Sequence, residues 1–356
     1  YPYQSVAGLP AQRYPFGYAS NGLANALLMN SDINVSYERP LGETFKVSLL
    51  GGYSYQYSRQ QITRTQGQNL APFITTVSGA ASTTVTSNFD LDQFDLSGAY
   101  VQGTLGYRNL AFLTGAVRRD RSSKFSEGST NQFYPKVSGS LVLSDLGFWQ
   151  NASYNKAFNS LKLRASYGEA GNLNGINSYE RFYQFLPVGF LGRNTYLPGS
   201  QFANPDVRPE RVAEIEGGAD LGFLNDRLSL GVTAYRQKTE DLVVRRNLAP
   251  SSGGASITNN VATLENKGLE VQLTAVPVRS SAFNWDVTVL FNRNRNKVLE
   301  LPGTNGNIQA ISIDNVAGAP VYLLAGQPVG VFYGSGYARN ADGSLLLTPQ
   351  GFPQDE

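Results

Sequence analysis

The fold is decided by a short stretch that reads Leu228-Ser229-Leu230-Gly231-Val232-Thr233-Ala234-Tyr235. Aliphatic side chains stand at every second position with small or polar ones between them, which is the period of a β-strand with one apolar and one polar face. The same alternation recurs from Phe45, Leu161, Leu269 and Phe283, and more weakly at five further places. The pattern predicts about ten strands, with residues 21–30 as the one candidate for a short helical turn.

The connections between these strands alternate in length. Residues 39–43, 108–110, 224–227 and 277–282 are short connections, whereas residues 59–93, 169–209 and 243–264 are long ones. Because successive connections of an up-and-down sheet lie at opposite ends, one end should carry tight turns and the other long loops. Outer-membrane barrels have this asymmetry. Residues 144–160 are an exception, a connection on the short side that has grown.

The two faces of each strand also fit a membrane barrel. The polar face carries Ser, Thr, Asn, Gln and Tyr, which suits a wet or plugged lumen, while the other face is apolar. Aromatic residues stand at strand ends, where a barrel has its interfacial girdles: Tyr53, Tyr55 and Tyr57 precede a long loop, and Tyr107 and Phe223 precede short turns. The sequence therefore predicts an all-β fold, an antiparallel transmembrane β-barrel.

Composition excludes several functional classes. Of the 356 residues 16% are charged, against about 25% in ordinary soluble domains, and the chain contains neither histidine nor cysteine. A Ser-His-Asp triad, a thiolate nucleophile and a His-ligated metal are thus impossible within it. With 29 basic and 27 acidic residues the net charge is +2, which argues against nucleic-acid binding. We expect neither a catalytic residue nor a cofactor.

One group of carboxylates admits an enzymatic alternative. Glu214, Glu216 and Asp220 fall on one face of a predicted strand. Carboxylates two residues apart on a strand are separated by about 7 Å, the spacing of an inverting glycosidase pair. Carboxylates are equally expected in the polar lumen of any barrel. The second interpretation is preferred, and the chain is predicted not to be an enzyme.

Several motifs carry a family resemblance. The stretch Leu161-Lys162-Leu163-Arg164-Ala165-Ser166-Tyr167-Gly168-Glu169-Ala170-Gly171-Asn172 resembles the Leu-Lys-Leu-Arg-x-Ser-Tyr-Gly-x-x-Gly-Asn strand of SusC/RagA-type TonB-dependent outer-membrane transporters. Further similar stretches follow in the family's order: Asn204-Pro205-Asp206-Val207-Arg208-Pro209-Glu210, Asn225-Asp226-Arg227-Leu228, Lys238-Thr239-Glu240-Asp241-Leu242, Asn266-Lys267-Gly268-Leu269-Glu270, Phe291-Asn292-Arg293-Asn294-Arg295-Asn296-Lys297-Val298 and Gly326-Gln327-Pro328-Val329-Gly330-Val331-Phe332-Tyr333-Gly334.

The resemblance implies a fold and a function. Transporters of this kind form barrels of about 22 strands around a plug, so residues 1–356 are interpreted as about 10–12 strands of one barrel domain, without the plug domain and the terminal strands. The implied function is active import of an oligosaccharide or peptide through the outer membrane of a Gram-negative, Bacteroidota-like bacterium. The implied partners are outer-membrane lipid, the TonB complex and a SusD-like surface lipoprotein.

Two other interpretations remain open at this point. The chain could be a complete, small porin-like barrel, or a soluble or surface-anchored all-β binding protein such as a lectin or adhesin. Candidate contact residues come from the long loop between residues 169 and 209, whose aromatic side chains could stack on sugar rings or pack on a partner. Alternatively they pack the loop against itself or a plug. These residues are Tyr179, Phe182, Tyr183, Phe185, Phe190 and Tyr196.

Overall fold

The computed structural model describes residues 17–301, 310–316, 319–332, 334 and 336–354. Within these ranges β-strand is by far the predominant secondary structure. The strands are β1 (Tyr18–Leu41), β2 (Phe45–Gln68), β3 (Thr86–Tyr107), β4 (Ala111–Ser122), β5 (Gln132–Val142), β6 (Phe158–Asn172), β7 (Phe185–Phe190), β8 (Arg193–Pro198), β9 (Gln201–Phe202), β10 (Glu210–Phe223), β11 (Leu228–Asn247), β12 (Ser256–Arg279), β13 (Asn284–Glu300), β14 (Ala310–Val316), β15 (Ala319–Leu324) and β16 (Val331–Phe332).

The helical content of the described residues is small. It consists of one α-helical turn, α1 (Gly147–Gln150), and 3-10 turns at Val77–Gly79, Ser82–Thr84, Leu143–Asp145, Ser153–Lys156 and Pro250–Ser252. None of these segments has the length and apolar character that a membrane-crossing helix requires. The helical turn considered for residues 21–30 was wrong, because those residues lie inside β1, where they pair with β2.

Ten strands form one antiparallel sheet in the order β1-β2-β3-β4-β5-β6-β10-β11-β12-β13. Neighbours in the sheet are neighbours in the chain except where β7, β8 and β9 intervene. The first two of these form a separate hairpin, and β9 pairs in parallel with the start of β12. Strands β14 to β16 make a small sheet of their own. The prediction of about ten antiparallel strands is confirmed, and the large sheet is open, with β1 and β13 as its edges in the described part.

Short and long connections lie at opposite ends of this sheet. Residues 42–44, 108–110, 224–227 and 280–283 make the tight turns, and residues 69–85, 123–131, 173–209 and 248–255 make the loops. Arg108 and Asn109 have φ of 48° and 57°, which is typical of the type I′ turn that joins twisted strands closely. Residues 143–157 are the enlarged connection on the short side, folded around the buried Trp149, whose Nε1 donates to the Phe158 carbonyl at 3.2 Å.

Two predicted long loops proved to be largely strand. Within residues 59–93 the strands remain paired as far as Gln66 opposite Thr86, and within residues 243–264 as far as Asn247 opposite Ser256. Side chains there are mostly polar on both faces, so period-two alternation does not reveal the strands. Backbone pairing, supplemented by polar side-chain contacts such as Thr65 with Ser87 and Arg245 with Ser256, continues the ladder beyond the apolar part of the sheet.

One face of the sheet is apolar over its full width. A single cross-strand row contains Leu41, Phe45, Tyr107, Ala111, Leu141, Leu163, Ala219, Val232, Val271 and Phe291. Nothing within the described residues covers this face, so Phe291 keeps 53% of its surface exposed. We call this the outer face, and the opposite surface the polar wall. The buried apolar clusters lie elsewhere, at the loop end of the strands, and include Val207 and Val298.

Candidate functional site

The first cluster of side chains on the polar wall surrounds Arg118 on β4. Its Nε lies 2.6 Å from Asp120 Oδ1, and its Nη2 donates to Ser54 Oγ at 2.9 Å. The guanidinium carbon lies 5.6 Å from the centre of the Tyr100 ring, close enough for a cation–π contact. The Tyr100 hydroxyl in turn donates to Asn34. The cluster therefore connects polar side chains across β1, β2, β3 and β4.

A second cluster is centred on Arg164 of β6. Its guanidinium lies 3.6 Å from Asp220 Oδ2 and 3.9 Å from Glu216 Oε1, and it donates to the Thr233 hydroxyl. Ser166 Oγ donates to the same Glu216 oxygen at 2.9 Å. Because the charged groups are partly exposed, each ion pair adds little stability. Their polar atoms remain accessible to a ligand or a neighbouring domain.

The three carboxylates considered for glycosidase chemistry do lie together on the polar wall. Asp220 and Glu216 flank Arg164, and Glu214 Oε2 accepts a hydrogen bond from Gln237 Nε2 at 3.0 Å. A glycosidase acid is normally held in an apolar pocket that keeps it protonated. Polar and charged groups surround these carboxylates instead, so the site does not fit a general acid.

Adjoining grooves on the polar wall differ in charge. One groove of about 370 Å³ is lined by Glu214, Glu216, Thr233, Tyr235, Gln237, Asn266, Glu270 and Asn294. Its neighbour shares Glu216 but contains three cations, Lys136, Lys162 and Arg164, together with Phe112 and small residues. Within the described part of the chain, no group of three or more acidic side chains is arranged to hold a metal ion. The wall thus offers closely spaced donors and acceptors, which suit a ligand rich in hydroxyl or amide groups.

Glycines on the polar wall accommodate its largest side chains. Tyr100 lies directly across from Gly52, Arg164 from Gly218 and Tyr235 from Gly268. A Cβ added to Gly268 would lie 2.3 Å from the Tyr235 ring, and one added to Gly52 would lie 2.5 Å from the Tyr100 ring. Each large side chain therefore lies flat across a strand that has no side chain there. Sequence reasoning missed these pairs, because the strand register is needed to see them.

The long loop of residues 173–209 is closed by a clasp formed by Asn204, Arg208 and Glu210. Asn204 Nδ2 donates to the Thr258 carbonyl at 2.7 Å, and Arg208 Nη2 donates to Asp241 Oδ1 at 2.7 Å. Asp241 has φ of 58° and stands where the β11–β12 register shifts, so a bulge aims its carboxylate at the loop. The clasp fastens the end of the loop to β11 and β12.

The third member of the clasp is buried. Glu210 is 6% exposed, and its two carboxylate oxygens accept hydrogen bonds from Asn172 Nδ2 at 2.7 Å and from the Val243 amide at 2.9 Å. It thereby joins the end of β6 to β11 on either side of its own strand. The sequence contained the motif of residues 204–210, but its spacing alone did not reveal this structural role.

Lys124 fastens the start of the same loop. Its Nζ donates to the Ile176 carbonyl at 2.8 Å and lies 4.3 Å from the centre of the Phe94 ring. Burial lowers the pKa of the Lys124 ammonium, and the charge of Asp92 opposes that shift. Ile176 packs with Phe125 in a buried cluster. Residues 173–209 are therefore held at both ends while their middle projects.

The six aromatic residues proposed as contacts lie on this projecting part, but the structure does not place them on one surface. Hairpin β7–β8 puts Phe185 and Tyr196 on one face and Phe190 on the other. These three are 62%, 67% and 65% exposed, respectively. Phe182 lies under the Arg181 guanidinium and Tyr183 meets the edge of Phe202, while Tyr179 is half-buried. Phe185 and Tyr196 are therefore the two strongly exposed aromatic residues that share one face of the hairpin. Tyr333, in a motif discussed above, lies outside the described residues.

Comparison with known proteins gives a consistent result. Residues 1–351 match the family described as "TonB dependent receptor-like, beta-barrel". The chain is 29% identical to TonB-dependent receptor P26 of Formosa agariphila over 94% of its own length and 34% of the relative's. It is 25% identical to TonB-dependent receptor SusC of Bacteroides thetaiotaomicron, over 82% of its own length and 29% of that protein. The chain therefore spans about a third of the curated relatives that it matches.

Solved structures share the fold. A structure titled "Structure of the RagAB peptide transporter" superposes with a TM-score of 0.77 at 18% identity, covering 90% of this chain and 35% of the matched chain. The outer membrane transporter YddB from Escherichia coli superposes with a TM-score of 0.52 at 13% identity, covering 77% of this chain and 34% of the matched chain. These similarities concern the architecture of the sheet.

Proposed function

Since this chain belongs to the TonB-dependent receptor family and forms part of its β-barrel, we propose that it builds one side of an importer for an oligosaccharide or a peptide. Barrels of this family lie in the outer membrane, and the named relatives are receptors rather than enzymes. Import would draw energy from a TonB complex and use a SusD-like lipoprotein at the cell surface. The family membership favours this function over a soluble lectin or adhesin.

One observation carries the proposal: the division of the ten-stranded sheet into an apolar outer face and a polar wall. An apolar row that crosses every strand is suited to contact with lipid acyl chains. The opposite wall presents Arg118, Arg164, Glu216 and Tyr235 toward a space that can hold water, a plug or a polar cargo. The sheet thus separates a membrane from a polar passage.

We also propose that residues 1–356 are part of one barrel domain whose remaining strands and plug come from other parts of the protein. Transporter barrels of this class have about 22 strands, whereas ten strands form the large sheet in the described residues. The two open edges, β1 and β13, are then positions where further strands pair. A closed porin of ten to twelve strands is the less favoured interpretation, because the relatives are about three times as long as this chain.

The exposed aromatic residues on the long loop are proposed to contact the surface lipoprotein or the substrate. Both faces of hairpin β7–β8 present large apolar side chains at the loop end of the sheet. Exposed aromatic residues of this kind favour interfaces. The RagAB peptide transporter, whose solved structure is similar in fold, supports a peptide as one of the two substrate classes.

The function can be tested by energy-dependent uptake. The gene for the full-length receptor is deleted, and the strain is supplied with labelled oligosaccharides or labelled peptides. We expect uptake of one class to be lost on deletion and restored by the plasmid-borne gene, but not when the TonB complex is inactivated. Uptake that persists without TonB would contradict the proposal.

The loop contacts are tested with a double variant, Phe185→Ser with Tyr196→Ser. We expect it to lower co-purification of the lipoprotein, or uptake, at least fivefold while the barrel still folds. The matched control is Phe73→Ser in the loop of residues 69–85, because Phe73 is 97% exposed but lies on another loop. Equal co-purification or uptake for the two variants would contradict a specific contact role of Phe185 and Tyr196.

A further inference from the structure

The outer face of the sheet changes from apolar to basic toward the loop end of β11, β12 and β13. Directly paired outer residues are Val232, Val271 and Phe291 in one row, and Ala234, Leu269 and Arg293 in the next. The row after that contains Arg236, Lys267 and Arg295, and Lys297 follows on β13. We call the five cations Arg236, Lys267, Arg293, Arg295 and Lys297 the basic belt.

Part of the belt is neutralised by carboxylates. Glu265, whose side chain is 8% exposed, lies 2.6 Å from Arg236 Nη2 and 2.7 Å from Lys267 Nζ. Lys238, on the same face, pairs with Glu240 at 2.6 Å. Both carboxylates are therefore paired with cations of β11 and β12.

On β13, Lys297 lies directly across from Glu265, whose carboxylate contacts Arg236 and Lys267, and Arg293 and Arg295 lie farther from that carboxylate along the strand. Arg293, Arg295 and Lys297 are exposed, and no ion pair joins them to an acidic group within the described residues. They occupy alternate positions on one strand, so all three project from the same side as Phe291. This side therefore presents a row of free cations immediately next to an apolar surface.

The position of these cations specifies the kind of ligand. Alternate residues on a strand are about 7 Å apart, so Arg293 lies one such step from Phe291, which faces the acyl chains. A partner that fits must carry anionic groups directly above hydrocarbon. Arginine matches phosphate in geometry, through two parallel N–H donors.

We propose that the basic belt binds the phosphate groups of a phosphorylated glycolipid in the outer leaflet, with its acyl chains on Phe291 and Val289. This inference goes beyond import and rests on two parts of the proposed function: the outer face contacts lipid, and the loop end lies at the cell surface. Binding at the basic belt would fix the depth of the barrel in the membrane and hold an ordered lipid next to β13.

The test uses the full-length receptor in detergent, with binding of purified bisphosphorylated lipid A followed by native mass spectrometry. The variant Arg293→Gln with Arg295→Gln should bind lipid A about thirtyfold more weakly, as expected from two lost cations at a lipid headgroup. Arg293→Lys with Arg295→Lys should retain most of the binding. The control, Lys136→Gln with Lys162→Gln, removes the same charge from the polar wall and should bind like the parent.

Three results would overturn the proposal. They are equal binding by the glutamine variant and the parent, equal binding of dephosphorylated lipid A, and full displacement of lipid A by inorganic phosphate alone. If the glutamine variant does not fold, as judged by loss of the heat-dependent gel shift, the proposal is tested by the salt dependence of lipid A binding to the parent protein. Its binding of bisphosphorylated lipid A should weaken steeply with salt, and salt-independent binding would contradict the role of the belt.

Discussion

Glycine lowers the stability of a β-strand unless another side chain fills the space that its missing side chain leaves. Glycine weakens a strand by roughly 0.5–1 kcal/mol because it loses more conformational freedom on folding than other residues. At Gly268 the space is filled by the Tyr235 ring, which packs across the backbone where a Cβ would stand. The glycine therefore positions a hydrogen-bonding ring flat on the polar wall instead of letting it project into the passage.

The variant Gly268→Val tests this role. We expect it to destabilise the folded barrel by about 1–3 kcal/mol, because the new side chain overlaps the Tyr235 ring. The measurement is the urea midpoint of the heat-modifiable form of the full-length receptor. Gly115→Val serves as control, since no atom lies within 4 Å of the position that its Cβ would take. Adding Tyr235→Ala to Gly268→Val should recover part of the loss, and equal midpoints for both glycine variants would contradict the packing argument.

A buried carboxylate makes Glu210 the most sensitive member of the clasp. Its removal leaves the Asn172 amide group and the Val243 backbone N–H without their acceptor, and an unsatisfied buried donor costs about 1–3 kcal/mol. The loss is local, because the strands on either side keep their own backbone hydrogen bonds.

We therefore expect Glu210→Ala to loosen the loop without unfolding the barrel. Protease added to intact cells should cleave within residues 173–209 at least fivefold faster than in the parent, while the heat-dependent gel shift is retained. Glu127→Ala, an exposed glutamate on the loop of residues 123–131, should leave the cleavage rate unchanged. Unaltered cleavage in Glu210→Ala would show that the other two clasp residues suffice.

Strands β11, β12 and β13 give the clearest test of which face meets lipid. Val271 stands between Val232 and Phe291 in the apolar row, and its neighbour Gln272 projects from the polar wall. The two residues are adjacent in sequence, so they share depth in the membrane and differ in face.

We expect Val271→Arg to cost about 2–4 kcal/mol, the usual effect of a cation on the lipid face near mid-membrane. The yield of heat-modifiable receptor in the outer membrane should fall accordingly. Gln272→Arg should assemble with nearly the parental yield, because its guanidinium reaches the polar passage. A lower yield for Gln272→Arg than for Val271→Arg would invert the assignment of the faces.

The strands could be predicted from the sequence where one face is apolar, but not where both faces carry polar side chains. Leu228 to Tyr235 alternates cleanly because one side of it meets hydrocarbon, whereas the loop ends of β2 and β12 contain mixed polar residues that period-two patterns do not distinguish from loops. The short turns were predictable from the few residues that separate one alternating run from the next, as at residues 224–227. The sequence did not reveal that Leu224, Asn225 and Asp226 all have positive φ there.

The candidate site was predictable in kind but not in detail. Alternation placed Glu214, Glu216 and Asp220 on the polar wall, because parity alone decides the face. It did not reveal Arg164 between them or Tyr235 above Gly268, because these contacts depend on which strands pair and in which register. The contact role of the loop aromatics stays a prediction.

The whole sheet has a sidedness that follows from its connections. The tight turns gather at one end and the loops at the other, and in outer-membrane barrels the loops face the medium. The chain contains no cysteine, so a single introduced thiol reports its own position once any cysteine elsewhere in the receptor has been replaced.

We expect Ser251→Cys, on the loop of residues 248–255, to react with a membrane-impermeant maleimide on intact cells. Ser281→Cys, in the turn of residues 280–283, should react only after the outer membrane is permeabilised. Both serines are exposed, so accessibility within the protein does not separate them. Labelling of Ser281→Cys alone on intact cells would reverse the orientation of the barrel.

The anchoring of the long loop at both ends has a consequence for how this protein can be re-engineered. Glu180 accepts hydrogen bonds from Asn177 and Gln201, and Gln201 also accepts one from Arg245, so residues 177–180 and 201–210 anchor to each other and to the sheet. The segment between them, which includes hairpin β7–β8, can then be treated as an interchangeable cassette. Grafting a foreign hairpin between Arg181 and Ser200 should transplant its recognition properties while the scaffold keeps its register.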